Sequence, residues 1–249
     1  MKSPFVKHLL ASVAALAALS AQAGVVYQTG TSDPWGQTTN DQALNAAFGT
    51  GAWTKNQGYN LAAFTGAGFV FLEGGDGSAG DLNNFLSANR AFIENYVYNG
   101  GRLFINAAPN VGGNIDLGFG GVALQYPSYS SDASITAAGL AAGLGYGLGT
   151  TTFTGSYFSH ATVSGTDLSS FVDGSNGSVF AVKSWGQGLV AFGGQTTTNW
   201  HAPEGDAFQL RVNQFSYLAT APVPEPSSYA LMLAGVAGIA ALARRRQTA

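Results

Sequence analysis

Gly68-Phe69-Val70-Phe71-Leu72 is a short, continuous apolar run, the pattern of a β-strand that is buried on both faces. After a glycine-rich turn, apolar residues recur at helical spacing over residues 82–97, and Gly100-Gly101 ends the predicted helix. Leu103-Phe104-Ile105 follows directly as a second buried strand. Residues 68–107 therefore predict a strand-helix-strand unit that crosses over right-handedly in a parallel sheet.

The flanking segments extend this unit to a single α/β domain over residues 24–220. The same patterns predict a first strand, an early helix, a hairpin of two strands and a last helix, at residues 25–28, 41–48, 179–183 with 189–192, and 205–218. The middle segment, residues 110–173, is rich in Gly, Ser and Thr and predicts short strands and long loops at undefined positions. The expected architecture is one domain with a mainly parallel sheet.

The composition excludes several classes of function. Only 9% of the 249 residues are charged, and residues 24–220 carry five Lys or Arg and twelve Asp or Glu, a net charge of about −7. Nucleic acid is therefore not an expected partner, because its binding needs a basic surface. The chain contains no cysteine, which excludes disulfides, thiolate metal sites and a cysteine nucleophile.

The first 23 residues have the pattern of a secretory signal peptide. Lys2 and Lys7 precede an apolar run at residues 9–19, and Ala21-Gln22-Ala23 offers the small residues that signal peptidase recognises. The alternative is a buried N-terminal helix. The pattern predicts export and a mature chain that begins at Gly24.

The C-terminal segment, residues 221–249, has three parts. Pro224-Glu225-Pro226 favours an extended backbone that a protease can grip. Residues 229–243 form an uncharged run of fifteen residues, about 22 Å long as a helix and shorter than the roughly 20 residues that span a bilayer comfortably. Arg244-Arg245-Arg246 then places the end of this predicted membrane helix on the cytoplasmic side.

This order of parts closely resembles the PEP-CTERM sorting signal of Gram-negative bacteria. The resemblance implies recognition by exosortase, a membrane-embedded cysteine protease, and a route through the inner membrane to the cell surface or the extracellular space. Such proteins often accompany exopolysaccharide and biofilm production. An ordinary C-terminal membrane anchor with accidental prolines is the alternative.

The body resembles class I glutamine amidotransferase-like and ThuA-like α/β domains, which have a flavodoxin-like architecture. The matching stretches are residues 69–76, 92–107 and 188–218. In the amidotransferases the strand that ends near Ala107 leads to a catalytic cysteine, and this chain has Ala107-Ala108-Pro109 there. The resemblance therefore implies a fold without that chemistry.

His201 and Glu204 are the candidate catalytic residues. They follow the last predicted strand, where the resemblance places a histidine with a carboxylate partner, and such a pair acts as a general base. No Gly-x-Ser-x-Gly elbow supplies a nucleophile. The alternative is a pair that stabilises a loop.

Three acidic residues are candidate ligand-binding residues. Glu73, Asp76 and Asp81 cluster with glycines after a buried strand, at the end where open α/β sheets bind ligands. Carboxylates in a flexible loop suit calcium, although the spacing matches no standard calcium loop. The alternative is a tight turn in which Asp81 caps the following helix.

The four tryptophans, above all Trp200, are candidate carbohydrate contacts. Trp35, Trp53, Trp185 and Trp200 stand beside Gly, Asn, Gln or Thr in predicted loops, and sugar-binding proteins stack sugar rings on such aromatics. Aromatics in glycine-rich loops also act as local core residues. His160 has no second histidine or carboxylate at metal-ligand spacing, so it is interpreted as a surface or hydrogen-bonded histidine.

These observations predict an exported, non-enzymatic binding or structural protein of the cell surface or matrix. The alternative function is a divergent hydrolase that uses His201 and Glu204. The hydrolase hypothesis requires a serine or a bound water within hydrogen-bond reach of His201 in a concave site. The binding hypothesis requires a cleft with exposed tryptophans or an acidic pocket around Asp76.

Overall fold

The computed structural model describes residues 24–222 of the chain. The predicted signal peptide (residues 1–23), the Pro-Glu-Pro motif, the predicted membrane helix at 229–243 and the arginine cluster lie outside the described residues. The structure therefore bears on the body of the protein.

The predicted strand-helix-strand unit is confirmed. Strand β3 (Ala67–Glu73) runs parallel to β4 (Arg102–Asn106), and helix α2 (Ala79–Tyr98) connects them. The helix begins three residues earlier than a cap at Asp81 predicts, because Ser78 occupies the N-cap position. Asp81 lies within the first turn, where the positive end of the helix dipole stabilises a carboxylate.

Five parallel strands and three long helices form the half of the domain around this unit. Beside β3 and β4 it contains β1 (Gly24–Thr29), α1 (Thr39–Phe48), β2 (Trp53–Gln57), β12 (Gly188–Gly193) and α4 (Glu204–Thr220). The first strand, the early helix, the late hairpin and the last helix are thereby confirmed.

The short strands predicted for the middle segment are present, together with one short helix. Its elements are β5 (Ile115–Gly118), β6 (Val122–Gln125), β7 (Ser130–Ile135), α3 (Ala137–Ala141), β8 (Thr152–Ser159), β9 (Thr162–Ser164) and β10 (Ser169–Gly174). Strand β11 (Gly177–Trp185) then pairs with β12, and the two-residue β13 (His201–Ala202) lies at the far edge.

The resulting sheet is mixed. Ten strands stand in the order β13-β8-β7-β10-β11-β12-β4-β3-β1-β2, and those from β12 to β2 are parallel. The strands from β11 to β13 pair antiparallel, so the prediction of a mainly parallel sheet holds only for the first half. A separate three-stranded sheet, β5-β6-β9, is also present.

Two hydrophobic layers cover the main sheet. On one face, α1 and α4 cover a row of aromatic side chains in which Phe71 lies 5.0 Å from both Tyr27 and Phe104, measured between ring centroids. Phe215 of α4 lies 5.0 Å from Phe71 and is fully buried. On the other face, α2 and the three-stranded sheet pack over residues such as Ile105.

Within residues 24–222, none of the helices is both long enough and apolar enough to cross a membrane.

Candidate functional site

The loops that follow the parallel strands meet at one edge of the main sheet. Strands β1, β3, β4 and β12 end there at Thr29, Glu73, Asn106 and Gly193. Strand β8 runs in the same direction, and its last residue Ser159 pairs with Gln195 of the loop after β12. Ligands of open α/β sheets bind at this edge, which we call the carboxyl edge.

A buried polar network underlies the carboxyl edge. The carboxylate of Glu73 accepts hydrogen bonds from the side-chain amides of Asn40 (3.2 Å) and Asn106 (2.9 Å) and from the backbone N–H of Gly75 (2.7 Å). The Asn106 amide also donates to the Gln195 carbonyl at 2.9 Å. The network ties the ends of β3, β4 and β12 together, so the loops start from fixed positions.

Burial brings the pKa of Glu73 close to neutral pH. Desolvation raises the pKa of Glu73 to about 7, against the opposing effects of Arg211 and of the donated hydrogen bonds. Its side chain is only 2% exposed and cannot reach solvent. Glu73, predicted as a ligand-binding residue, is therefore placed inside the fold beneath the edge.

Thr196 joins the interior to the surface of this edge. Its hydroxyl lies 2.8 Å from both the Tyr157 carbonyl and Nε2 of His201. Its carbonyl accepts a hydrogen bond from the guanidinium of Arg211, which is fully buried against Phe104. Thr196 thus has polar contacts on three sides while its side chain lines a surface pocket.

The structure does not assemble His201 and Glu204 into a general-base pair. His201 is buried, 4.1 Å from the ring of Phe158, and burial together with the charge of Arg211 lowers its pKa to about 3. Glu204 is exposed at the first position of α4, and no hydrogen bond joins it to His201 in the described part of the chain. A general base needs a pKa nearer to the working pH, so this geometry favours a structural role for His201.

An aromatic pocket opens at the carboxyl edge. Its volume is about 180 Å³, below the roughly 300 Å³ that enclose a drug-sized molecule, so it accepts a single ring-sized group. We use the term aromatic pocket for the six residues that line it, which are Trp35, Ser156, Tyr157, His160, Thr196 and Trp200. Trp200 and Tyr157 are about half exposed, at 47% and 48%.

Trp35 is held in the pocket by its backbone. Its φ of 50° lies in the left-handed region, and its N–H donates to the Asp76 carboxylate at 3.2 Å. Asp76 also accepts a hydrogen bond from the Asn110 amide at 2.6 Å. The predicted ligand residue Asp76 thus contacts the pocket indirectly, by fixing the loop that carries Trp35.

His160 completes the pocket wall. Its Nδ1 lies 2.8 Å from the Pro109 carbonyl, and its ring lies 5.7 Å from that of Trp35. Burial lowers the pKa of His160, against the opposing effects of that hydrogen bond and of the charge of Asp76. The interpretation of His160 as a hydrogen-bonded histidine agrees with this placement, whereas its position in the pocket was not predicted.

The three acidic candidates do not form a metal centre. Glu73 is buried, Asp76 is turned toward Trp35 and Asn110, and Asp81 is exposed on α2. Across residues 24–222, no three His, Cys, Asp or Glu side chains lie together as potential metal ligands.

The remaining two tryptophans belong to the hydrophobic layers. Trp53 packs against the α1 and α4 side and donates to Asn45, whereas Trp185 packs against Phe119 on the other side. The two interpretations of the tryptophans therefore apply to different residues. Trp53 and Trp185 are partly buried against the hydrophobic layers, while Trp35 and Trp200 line the aromatic pocket.

Larger hollows lie elsewhere. Two of about 710 Å³ and 590 Å³ flank the C-terminal half of α4, near Ser216 and Thr220. Both are distant from the carboxyl edge and from its buried polar network. The aromatic pocket is therefore the candidate site.

Comparison with known proteins identifies the C-terminal segment. Residues 222–247 match the family model described as the PEP-CTERM protein-sorting motif. The chain carries a PEP-CTERM motif. This motif implies an exported protein that exosortase sorts to the cell surface, and the predicted resemblance of the tail is thereby confirmed.

The body of the PEP-CTERM protein has distant structural likenesses. One is to a β-galactosidase from Rahnella sp. R3, with 12% identity and a TM-score of 0.45 over 82% of this chain and 33% of that one. The chain thus spans about a third of that protein. Another is to the cytoplasmic protein STM3548 from Salmonella typhimurium, with 14% identity and a TM-score of 0.46 over 78% and 98% of the two chains.

No match to this chain was found among curated protein sequences. Structural likenesses at these identities and TM-scores leave the activity of the body undetermined.

Proposed function

We propose that this protein is a surface-displayed carbohydrate-binding protein without enzymatic activity, and that the aromatic pocket is its binding site. The observation that carries the proposal is the placement of Trp35, Trp200 and Tyr157 around one ring-sized pocket at the carboxyl edge. Flat aromatic rings offer apolar area at low conformational cost and leave the polar groups of a ligand accessible.

The polar groups of the pocket suit a sugar. Ser156 is exposed and supplies a hydroxyl beside the aromatic rings, which suits the alternation of apolar faces and hydroxyls on a pyranose, whereas the Thr196 hydroxyl is bonded to Tyr157 and His201. The buried network beneath Thr196 holds the loop after β12 in place, so the pocket forms before a ligand arrives. Preformed sites lose less conformational entropy on binding.

Export supports a partner outside the cell. The pattern of residues 1–23 predicts removal by signal peptidase, and the tail predicts passage through the inner membrane of a Gram-negative bacterium. The protein then reaches the cell surface or the extracellular matrix, where exopolysaccharide is a partner that sugar-binding chemistry can recognise.

The binding test uses calorimetry with exopolysaccharide purified from the bacterium that produces the protein. Trp200→Ala is expected to lower the affinity about ten-fold, because an interface aromatic at the centre of a site contributes more than about 1 kcal/mol. Trp53→Phe changes a tryptophan packed against the hydrophobic layer and serves as the matched control with unchanged affinity. Absence of binding by the parent protein contradicts the proposal, as does an equal loss in both variants.

The processing step has its own test. We propose that exosortase removes residues 229–249, which hold the apolar run and the arginines. Mass spectrometry of the C-terminus of the surface protein is expected to show a species that lacks Arg244-Arg245-Arg246. A mature protein that still ends in Arg-Arg-Arg-Gln-Thr-Ala contradicts this step.

A further inference from the structure

We infer that the ligand is an extended, uncharged glycan chain, which occupies the aromatic pocket with one sugar and a neighbouring row of tyrosines with the next ones. The inference rests on the proposed carbohydrate-binding function. It adds two properties of the ligand, its length and its lack of charge.

The length follows from a row of aromatic rings that continues outward from the pocket. Tyr129 lies 4.9 Å from Tyr157 and 5.2 Å from His160, measured between ring centroids. Tyr126 follows at 6.0 Å from Tyr129. We call Tyr126 and Tyr129 the tyrosine row. Each step is comparable to the width of one sugar ring, so the row offers positions beyond the pocket.

Tyr129 reaches solvent and carries a polar group beside Tyr126. Tyr129 is 38% exposed, whereas Tyr126 is partly buried against the hydrophobic layer on the α2 side, and their hydroxyls lie 3.3 Å apart. Their rings and hydroxyls together suit the two kinds of contact that a glycan strand makes.

The lack of charge follows from the positions of the basic side chains. Of the five basic residues between 24 and 222, none lines the aromatic pocket or the tyrosine row. Lys55 and Arg90 form surface ion pairs, and Lys183 and Arg211 are buried. Arg102 donates to the Leu218 carbonyl near the opposite end of the strands.

Asp76 is the charged side chain behind Trp35, and it accepts a hydrogen bond from the Trp35 backbone. Arg211 reaches the Thr196 carbonyl from the interior and is fully buried, and the pKa of His160 is lowered by its burial, so no cation is exposed in the pocket at neutral pH. A uronic acid or another anionic sugar would meet repulsion without a partner, at a cost that a neutral sugar avoids.

The experiment measures binding of the full chain to two arrays of linear oligosaccharides of two to eight units. One array carries neutral sugars and the other carries uronic acids. We expect binding in the neutral array, with affinity that rises about ten-fold between two and six units. We also expect affinity that is insensitive to salt between 50 and 500 mM, about the range over which Coulombic attraction is screened.

Variants separate the pocket from the row. Tyr129→Ala is expected to lower the affinity for six-unit chains about five-fold to ten-fold, because a single stacked ring contributes about 0.5–1.5 kcal/mol. The affinity for the free monosaccharide, which fills only the pocket and is measured alongside the arrays, is expected to fall less than two-fold. Tyr146→Ala removes a more exposed tyrosine outside the site and is the matched control.

Each outcome distinguishes the inference from the function it rests on. If affinity for the neutral oligosaccharides does not depend on chain length, the role of the tyrosine row is overturned and the role of the pocket stands. Preference for the uronic acid array overturns the inferred lack of charge. Binding to neither array overturns the carbohydrate-binding function itself.

Discussion

Replacement of His201 by glutamine has a pH-dependent effect on stability that can be worked out from the structure. The pKa of His201 falls from 6.5 to about 3 on folding, because the ring is buried and lies near Arg211. Below pH 6.5, His201 is therefore protonated in the unfolded chain and neutral in the folded protein. Stability from this group is present above pH 6.5 and is lost as the pH falls toward 3.

The magnitude follows from the pKa difference. At pH 4.5, two units below the unfolded pKa, His201 costs the folded state about 3 kcal/mol, at about 1.36 kcal/mol per unit. Glu73 acts in the opposite sense, because its pKa rises on folding from 4.5 to about 7 and the folded state binds the extra proton. In the parent protein the two effects largely offset each other between pH 4.5 and 6.5.

The assay is urea unfolding at pH 4.5 and pH 7.5. His201→Gln removes the titrating group and can still form a hydrogen bond to Thr196. As the pH falls from 7.5 to 4.5, the parent loses about 3 kcal/mol of unfolding free energy through His201 and the variant does not. The unfolding free energy of the variant, relative to that of the parent, is therefore expected to rise by about 3 kcal/mol. The unfolding free energy of Glu73→Gln, relative to that of the parent, is expected to fall by about 3 kcal/mol over the same interval. Parallel pH profiles for parent and variants refute the buried titration of both groups.

Two further predictions concern packing. Phe215→Ala is expected to lower the free energy of unfolding by about 3–5 kcal/mol, since its ring is fully buried against Phe71, whereas Phe92→Ala, which is 45% exposed, changes it by less than about 0.5 kcal/mol. Gly194→Ala places a Cβ 2.0 Å from the Ala161 carbonyl oxygen and is expected to lower the free energy of unfolding by about 3 kcal/mol. Gly205→Ala meets open space on α4 and is expected to raise it by up to about 1 kcal/mol. Urea unfolding measures all four variants.

The parallel half of the fold could be predicted because its strands are continuous apolar runs. Strands β3 and β4 are buried on both faces, so each contains a continuous apolar run that can be recognised in a single sequence. Strand β7 shows why the other half could not. Its sequence Ser-Ser-Asp-Ala-Ser-Ile buries only three residues, one of them a serine, and lacks an apolar alternation that a reader could follow.

The candidate site was only partly predictable for the same reason. Trp35 and Trp200 were recognised as loop aromatics, but their neighbours Tyr157 and His160 come from the unassigned middle segment. The topology that returns β8 to the carboxyl edge creates the pocket, and that topology depends on antiparallel pairing of polar strands. The acidic loop was expected to hold a ligand, and Asp76 instead holds the backbone of Trp35.

Helix α4 carries the chain from one end of the domain to the other. It starts at Glu204 beside the carboxyl edge and runs back over 17 residues, about 25 Å. Its last residue, Thr220, lies by the first residues of the parallel strands, in a hollow shared with Val25, Gly68 and Arg102. The described part of the chain therefore ends at the pole opposite Trp200, which leaves the candidate site and the C-terminal end of the domain on separate surfaces.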